Sequence, residues 1–317
     1  MNGATETTIS LVIPCYNEAE NLPVLIDQLL TSLSSHGKLE IICVDDGSRD
    51  NTFAAMFDAS QRSDQVKYIR LSRNFGHQAA LRAGLAYSNG DCVISMNADL
   101  QHPVRLIPEM ITKWREGYEV VQTIRLDQKD LPLLKRITSK AFYSIINAMS
   151  DVKIEPGSAD FRLLDRKVVD VIKSLSENDF FLRGIIPWVG FKYYKIDYVP
   201  DQRKFGTTKY SLRRMISFAI SGVISNSIQP LRLATILAAA ISGLAALYII
   251  YAVTVYFAYG TVVPGWASVV VVTSFIGGLE LLVLGVIGEY VGRILKETRK
   301  RPGFVVSATN IVSEQKE

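Results

Sequence analysis

The feature that most constrains this chain is a run of 60 residues, 233–292, with only two charged side chains, Glu280 and Glu289. Within this run, residues 233–257 and 266–291 are each long enough, as helices, to cross about 30 Å of hydrocarbon. The remaining residues have the charge content of an ordinary soluble domain. The sequence therefore predicts a soluble domain joined to two membrane-spanning helices.

Basic residues lie outside both predicted spans, and the link between them, residues 258–265, has no charge. Basic flanks favour the cytoplasmic side of a membrane, so we expect both flanks in the cytoplasm and the link outside. This predicts a multi-pass protein of the cytoplasmic (inner) membrane. The basic flanks are Arg213, Arg214 and Arg232 on one side and Arg293, Lys296, Arg299, Lys300 and Arg301 on the other.

Two further segments, residues 131–149 and 211–228, mix apolar residues with lysine or arginine. Each is interpreted as an in-plane helix at the membrane surface or, alternatively, as an amphipathic helix packed on a sheet. Glu280 lies inside the second span, where a carboxyl group needs shelter. Together with small residues that permit close helix packing, this predicts a homo-oligomer.

The first hundred residues alternate apolar strands with helical patterns, which predicts an α/β fold with a parallel sheet. Strands are expected at 9–14, 40–44, 66–71 and 91–96. Their carboxyl ends read PCYNE, DDGS, SRNFG and NADLQ, and ligands of parallel sheets bind at such ends. A net charge of +4 gives no support for a nucleic-acid partner. The three cysteines lack metal-thiolate spacing and are interpreted as buried thiols.

Seven motifs in order carry a resemblance to a known family: ISLVIPCYNEAE at 9–20, VDDGSRDNT at 44–52, SRNFGHQAALRAG at 72–84, NADLQHP at 97–103, GSADFRLLDR at 157–166, FFLRGIIPWVGF at 180–191 and RKFGTTKY at 203–210. They resemble family 2 glycosyltransferases of GT-A (Rossmann-like) fold. More narrowly, they are similar to the polyprenyl-phosphate glycosyltransferases, the group of dolichyl-phosphate mannose synthase and the bactoprenol glucosyltransferases.

The resemblance implies a domain plan and a reaction. Residues 1–210 would form the cytoplasmic GT-A domain, 211–230 an interfacial helix, 231–292 the two spans, and 293–317 a basic cytoplasmic tail. The reaction would be an inverting transfer of a hexose from a nucleotide sugar to polyprenyl phosphate. UDP-glucose is the first choice of donor and GDP-mannose the second.

A divalent cation, Mg²⁺ or Mn²⁺, would bridge carboxylate oxygens and the donor diphosphate. The family pattern is D-x-D, but this chain has Asn97-Ala98-Asp99, which puts tight metal binding in question. Asp99 is the expected catalytic acid at this position, with Asn97 and Gln101 as further metal ligands. The alternative for Asp99 is a helix N-cap.

The strand ends would bind the nucleotide, since carboxylates accept hydrogen bonds from ring N–H groups and ribose hydroxyls. The alternative for the paired acids is a structural D-D-G turn. The expected nucleotide-binding residues are Pro14, Tyr16, Asn17, Glu18, Asp45, Asp46, Arg73 and Gly76.

The acceptor phosphate is anionic at neutral pH and needs cations more than a strong base. Asp160, the second expected catalytic residue, is assigned as base, as a positioner of the acceptor or as a stabiliser of positive charge. Trp188 is expected either to stack on the sugar or to fill the core, and His77 and His102 are interpreted as polar loop residues. The expected acceptor-phosphate ligands are Arg125, Arg136, Arg203, Lys204 and Lys209.

Two other classes of protein share parts of this pattern. A processive polysaccharide synthase is excluded because the nearest string to its QxxRW motif, residues 229–233, lacks tryptophan. A non-catalytic membrane protein that binds lipid or sugar nucleotide is favoured only by Asn97.

Overall fold

The computed structural model describes residues 7–126, 155, 157–175, 177, 181–201, 229–259 and 265–311 of the 317-residue chain. The described residues form two compact units. The first contains those up to residue 201 and those from Pro302 onward, and the second contains the two long helices. The predicted surface helices, at 131–149 and 211–228, lie outside the described residues.

The first unit is built on an eight-stranded sheet with the order β7-β5-β6-β4-β1-β2-β3-β8. Its strands are β1 (Thr8–Cys15), β2 (Lys38–Asp45), β3 (Val66–Leu71), β4 (Cys92–Ser95), β5 (Val120–Arg125), β6 (Ser158–Asp165), β7 (Tyr193–Tyr198) and β8 (Val306–Thr309). Its helices are α1 (Asn21–Leu33), α2 (Thr52–Arg62), α3 (His77–Tyr87), α4 (Ile107–Arg115), α5 (Arg166–Ser174) and α6 (Leu182–Val189), with a 3₁₀ turn at Val104–Leu106.

The four central strands, β3, β2, β1 and β4, are parallel, as the alternating pattern predicts. The α/β class is confirmed, but the sheet is mixed. Strand β6 runs antiparallel to both β4 and β5, and β8 runs antiparallel to β3. Apolar periodicity reports which face of a strand is buried and does not report strand direction. The parallel arrangement predicted for the first four strands is therefore confirmed, and the antiparallel strands lie in parts of the chain for which no strand was predicted.

Helices cover both faces of the sheet, and all but the first residue of β1 are buried between them. One core cluster joins the sheet to α1, α2 and α4, and a second joins it to α3, α5 and α6. Gly84 allows α3 to pack closely against β1, because a Cβ at this position would lie 2.2 Å from Cγ1 of Val12. All three cysteines are free and buried, as expected.

The C-terminal segment differs from the predicted basic tail. The second long helix continues to Thr298, and the following residues return to the first unit, where β8 pairs with β3. Asn310 Oδ1 accepts a hydrogen bond from the backbone N–H of Tyr68 at 2.8 Å. The sequence pattern did not predict this strand, because the strand has only four residues, VSAT, and follows a strongly basic stretch.

The second unit consists of α7 (Gln229–Tyr259) and α8 (Trp266–Thr298). Two parts of these helices, Ala234–Val255 and Val271–Thr298, are long and apolar enough to cross a membrane. Many large apolar side chains on the two helices are exposed, among them Phe257 at 83% and Leu281 at 72%. Glu289 pairs with Arg293 one turn later at 3.6 Å, as its spacing predicts. The homo-oligomer stays a prediction.

Candidate active site

The turn after β1 is held against the loop after β2 by reciprocal hydrogen bonds. Asn17, at a φ of 56°, donates its N–H to Ser48 Oγ at 3.0 Å, and its side-chain oxygen accepts from the N–H of Arg49 at 2.9 Å. The N–H of Glu18 donates to Thr52 Oγ1 at 2.8 Å. Two of the predicted ligand-binding segments therefore form one connected surface.

Gly47 brings the loop after β3 against the same surface. Its φ is +66°, and a Cβ there would lie 2.5 Å from the carbonyl carbon of Arg73 and 2.6 Å from the nitrogen of Asn74. Both the left-handed backbone and the close approach require glycine at this position. The three strand ends thus meet at one edge of the sheet.

Asp46 holds the loop after β3 in place. Its carboxylate accepts hydrogen bonds from the N–H of Phe75 at 2.7 Å and from the N–H of Gly76 at 3.0 Å. Burial raises the pKa of Asp46, and these two backbone donors oppose the rise. The side chain therefore has a structural task, and its predicted role in nucleotide binding stays a prediction.

Asp45 is fully buried beside it, at the end of β2. One carboxylate oxygen accepts from the N–H of Ser48 at 2.9 Å. The other has no hydrogen-bond partner among the described residues, although Arg70 Nε lies 3.5 Å away. Buried acceptors are normally paired. Of the two acids, Asp45 is therefore the stronger candidate to accept a hydrogen bond from a ligand.

Among the other nucleotide candidates, Pro14 is buried in β1 and Tyr16 is 37% exposed at its end. Arg73 is exposed, and its guanidinium stacks over the ring of Phe75 at 3.9 Å. An exposed arginine at a strand end is suited to phosphate oxygens. The structure brings these residues to the same edge of the sheet.

The loop after β4 contains the predicted metal ligands. Asp99 Oδ1 accepts from the N–H of Gln101 at 3.2 Å, and Gln101 Oε1 lies 3.4 Å from a guanidinium nitrogen of Arg125. The N–H of Asn97 donates to His102 Nδ1 at 3.0 Å, whereas its side-chain oxygen has no hydrogen-bond partner among the described residues. The candidate oxygen ligands of a metal and the exposed guanidinium of Arg125 therefore lie close together.

This donor set fits a hard divalent cation that is shared with a diphosphate. Mg²⁺ is commonly held by one or two carboxylates plus substrate phosphates and water. Asp99 supplies the carboxylate, and the unpaired oxygen of Asn97 supplies a neutral donor. No group of three histidine, cysteine, aspartate or glutamate side chains suited to a metal occurs in the part of the chain that the structure describes. The described residues by themselves therefore offer few charged ligands.

His102 is a core residue, which corrects its interpretation as a polar loop residue. It is 6% exposed and stacks on Phe161 with ring centroids 5.0 Å apart. Burial lowers the pKa of His102 to about 4, so the imidazole is neutral at neutral pH. Its task is to accept the hydrogen bond from Asn97 and thereby hold the loop after β4.

Asp160, near the start of β6, lies at the centre of a buried ion network. Arg162 Nη2 donates to its Oδ1 at 2.8 Å, and Arg183 donates to both oxygens, at 3.1 and 2.8 Å. His77 Nε2 lies 3.4 Å from Oδ2. The backbone oxygen of Asp160 accepts from Ser95 Oγ at 2.9 Å, which ties β6 to β4 next to the metal candidates.

The network bears on the role of Asp160. Burial alone would raise its pKa, but Arg183, His77 and Arg162 together hold the pKa well below its usual range. A carboxylate with so low a pKa is a weak proton acceptor at neutral pH. The geometry therefore favours positioning and charge stabilisation over proton abstraction.

Three site residues were missed by the sequence reasoning: His77, Arg162 and Arg183. The spacing of Asp160 and Arg162 on a strand places both side chains on one face, so this pair was accessible from the sequence. Neither His77 at the start of α3 nor Arg183 in α6 has a local signal that links it to Asp160. Trp188 is 62% exposed on α6, so of its two alternatives the one in which it fills the core is wrong.

Of the predicted acceptor-phosphate ligands, only Arg125 is described, and it is exposed at the end of β5. Arg136, Arg203, Lys204 and Lys209 lie outside the described residues.

Similarity to known proteins extends over most of the chain. The model of the family described as "Glycosyl transferase family 2" matches residues 10–173. An uncharacterized glycosyltransferase of Synechocystis sp. is 42% identical over 300 residues, which cover 94% of each chain. A prophage bactoprenol glucosyl transferase homolog of Escherichia coli (strain K12) is 36% identical over 94% of this chain and 98% of its own.

A solved structure, glucosyl-3-phosphoglycerate synthase from Mycobacterium tuberculosis with Mn²⁺ and UDP-glucose, is 18% identical, covers 69% of this chain and 77% of its own, and has a TM-score of 0.44. A likeness at that level supports no assignment.

The resemblance expected from the motifs is thus confirmed, and the non-catalytic alternative is set aside. Relatives at 36% and 42% identity align along almost the whole length of this chain. The chain belongs to glycosyl transferase family 2, and the protein is a glycosyltransferase.

Proposed function

We propose that this enzyme transfers a hexose from a UDP-sugar to the phosphate of a polyprenyl phosphate, with inversion at the anomeric carbon. Glucose is the first choice for this hexose. One observation supports this proposal most strongly. Asp99, Arg125 and the Asp160 ion network lie close together around the carboxyl end of β4. The relatives named bactoprenol glucosyl transferases support the choice of sugar and acceptor.

The donor is proposed to bind along the first three strand ends in a GT-A arrangement, with its nucleoside near Asp45 and its phosphates near Arg73. Asp99 and the side-chain oxygen of Asn97 would hold a divalent cation against the diphosphate. Bound there, the cation would neutralise the charge that develops on the leaving nucleotide. The amide of Asn97 lowers the charge of this site, so the cation would depend on the donor for much of its binding.

The acceptor brings its own nucleophile, because its phosphate oxygen is anionic at neutral pH. A strong base is therefore unnecessary, which agrees with the low pKa of Asp160. Asp160 would instead hold Arg183 and His77 toward the reacting groups, where they stabilise negative charge. Among the residues that the structure describes, Arg125 is the cation that would hold the acceptor phosphate.

The two apolar helices support a membrane location for this reaction, since the acceptor is a lipid. We propose that both helices span the cytoplasmic membrane and that the catalytic unit faces the cytoplasm. The basic residues on both flanks support this orientation.

The function is tested with the purified full-length protein, undecaprenyl phosphate, Mg²⁺ or Mn²⁺, and labelled UDP-glucose or GDP-mannose in parallel. We expect label in the lipid fraction with UDP-glucose. Asp99→Ala should lower turnover by about a hundredfold or more, since several kcal/mol of charge stabilisation is lost. Asp58→Ala, an exposed change on α2, is the control and should retain activity.

Two results would contradict the proposal. If no donor from a broad panel labels the lipid, the acceptor assignment fails. If Asp99→Ala is as active as Asp58→Ala, the site assignment fails. Asn97→Asp adds a third measurement, because a second carboxylate should tighten metal binding and lower the metal concentration needed for half-maximal activity.

A further inference from the structure

The donor loop, residues 72–76 between β3 and α3, contains Arg73, which is proposed above to lie near the donor phosphates. Asp46 holds one end of this loop. The other end is held from beyond the second long helix, because the N–H of Ser72 donates to the backbone oxygen of Val305 at 2.8 Å. Since Ser72 directly precedes Arg73, this hydrogen bond fixes the point at which the chain enters the loop.

The side chain of Arg73 is oriented by its own loop. Its guanidinium lies over the ring of Phe75 at 3.9 Å, and its Nη1 donates to the backbone oxygen of Asn74 at 3.0 Å. An arginine loses rotamer freedom when it binds an anion, and one that is already held in a single orientation loses less. The position of the Phe75 ring therefore influences how tightly Arg73 can bind a phosphate.

The ring of Phe75 packs against an apolar cluster that the C-terminal segment also covers. The buried members of this cluster come from β2, β3 and α3 and are Ile42, Val44, Ile69, Leu71, Ala80 and Ala83. Phe304 and Ile311 are partly buried and pack against the same cluster. The segment that follows the second long helix thus helps to form the apolar surroundings of the donor loop.

Phe304 and Ile311 lie on opposite sides of β8. Val306, the first residue of β8, is opposite Leu71, the last residue of β3. Phe304 therefore lies at the end of β8 that reaches the donor loop. Ile311 follows Thr309, the last residue of β8, and belongs to the end that points away from the loop.

We propose that Phe304 is a positioning residue for the donor diphosphate. It acts on Phe75 through the cluster against which both rings pack, and Phe75 in turn orients the guanidinium of Arg73. Removal of the Phe304 ring leaves space into which neighbouring side chains can move. Arg73 would then lose more rotamer freedom on binding a phosphate. The inference rests on the proposed function, in which Arg73 lies near the donor phosphates.

The test measures nucleotide binding to the purified full-length protein by calorimetry, with Mg²⁺ and without lipid, so it is independent of transfer. UDP and GDP are titrated in parallel, because the inference concerns the diphosphate and not the base. Ile311→Ala is the matched control for Phe304→Ala, since it removes an apolar side chain from the same cluster at the far end of β8. Arg73→Ala, alone and combined with Phe304→Ala, completes a double-mutant cycle.

We expect Phe304→Ala to bind the nucleoside diphosphate about tenfold more weakly than the wild type, because part of the charge-assisted contact with Arg73 is lost. Ile311→Ala should bind as tightly as the wild type. Phe304→Leu retains most of the apolar volume and should restore binding to within about threefold of the wild type. In the Arg73→Ala background, Phe304→Ala should have no further effect.

The proposal is overturned if Phe304→Ala binds as tightly as the wild type, or if it weakens binding equally in the Arg73→Ala background. Should Phe304→Ala fail to fold, Phe304→Val is used, and about threefold weaker binding is expected; unchanged affinity then overturns the proposal. A wild type that binds neither nucleotide contradicts the proposed donor site and this proposal with it. A wild type that binds UDP as tightly as Phe304→Ala does contradicts this proposal alone.

Discussion

Replacing Asp160 by asparagine tests the buried ion network directly. The wild-type carboxylate pairs with Arg162 and Arg183 at 2.8 Å and is 6% exposed. Asparagine retains the shape but removes the negative charge that both guanidinium groups contact. Removing one partner of a buried pair costs about 3–5 kcal/mol. For a domain of this size that corresponds to a melting temperature lower by roughly 6–20 °C.

Asp201→Asn is the matched control. Asp201 makes a similar two-oxygen contact with Arg105, but both side chains are exposed, at 44% and 67%. Surface pairs of this kind contribute about 0–1 kcal/mol. Thermal and denaturant unfolding of the two variants, followed by circular dichroism, compares the costs. If Asp160→Asn loses no more stability than Asp201→Asn, the network does not stabilise the fold as we argue.

The same variant has a pH signature. The folded pKa of Asp160 is lowered, so its contribution is present above the unfolded pKa of about 3.9 and is lost as pH falls toward the folded pKa. The stability difference between wild type and Asp160→Asn should therefore be constant from neutral pH to about pH 5 and shrink below about pH 4. A difference that stays constant below pH 4 would show that Asp160 has an ordinary pKa, and one that grows as pH falls from 7 to 5 would show a raised pKa.

Three further predictions concern the loops and the sheet edge. His102 is buried with a pKa of about 4, so its neutral form stabilises the fold above the unfolded pKa of about 6.5. As pH falls from 6.5 to 4, the free energy of unfolding of the wild type should decrease by about 3 kcal/mol more than that of His102→Gln, as measured by denaturant unfolding. Gly47→Ala should lower stability by more than about 1 kcal/mol and weaken donor binding, because its Cβ meets Arg73 backbone at a φ of +66°; unchanged calorimetric affinity for UDP-glucose would contradict this. Truncation after residue 301 removes β8 and uncovers the edge of β3, so light scattering should detect aggregation that the full chain lacks.

The central fold was predictable because its signals are local. Apolar strands that end in polar or glycine-bearing motifs gave the order of β1 to β4, and the carboxyl-end rule placed Asp45, Arg73 and Asp99 at one edge. Strand direction beyond this region was not predictable, since β6 has the same apolar alternation in either direction. The short strand β8 has almost no propensity signal, and it forms because the edge of β3 offers free backbone groups.

The site was predicted less completely, for a related reason. Asp160 was identified, but its role depends on partners that come from other elements: Arg183 is 23 residues away and His77 lies on α3. A pKa is set by burial and by such neighbours, neither of which a motif records. His102 shows the same limit, because its loop sequence is polar while its ring is stacked in the core.

The measurement that tests the central claim most directly is ³¹P and ¹H NMR of the lipid product formed by the full-length protein from undecaprenyl phosphate and UDP-glucose. We predict that the phosphomonoester of the acceptor becomes a phosphodiester coupled to the anomeric carbon, and that the α-linkage of the donor becomes β. An acceptor that remains a monoester while the donor is hydrolysed to free glucose would contradict transfer to the lipid phosphate. A diester with retained α-configuration would contradict the inverting mechanism.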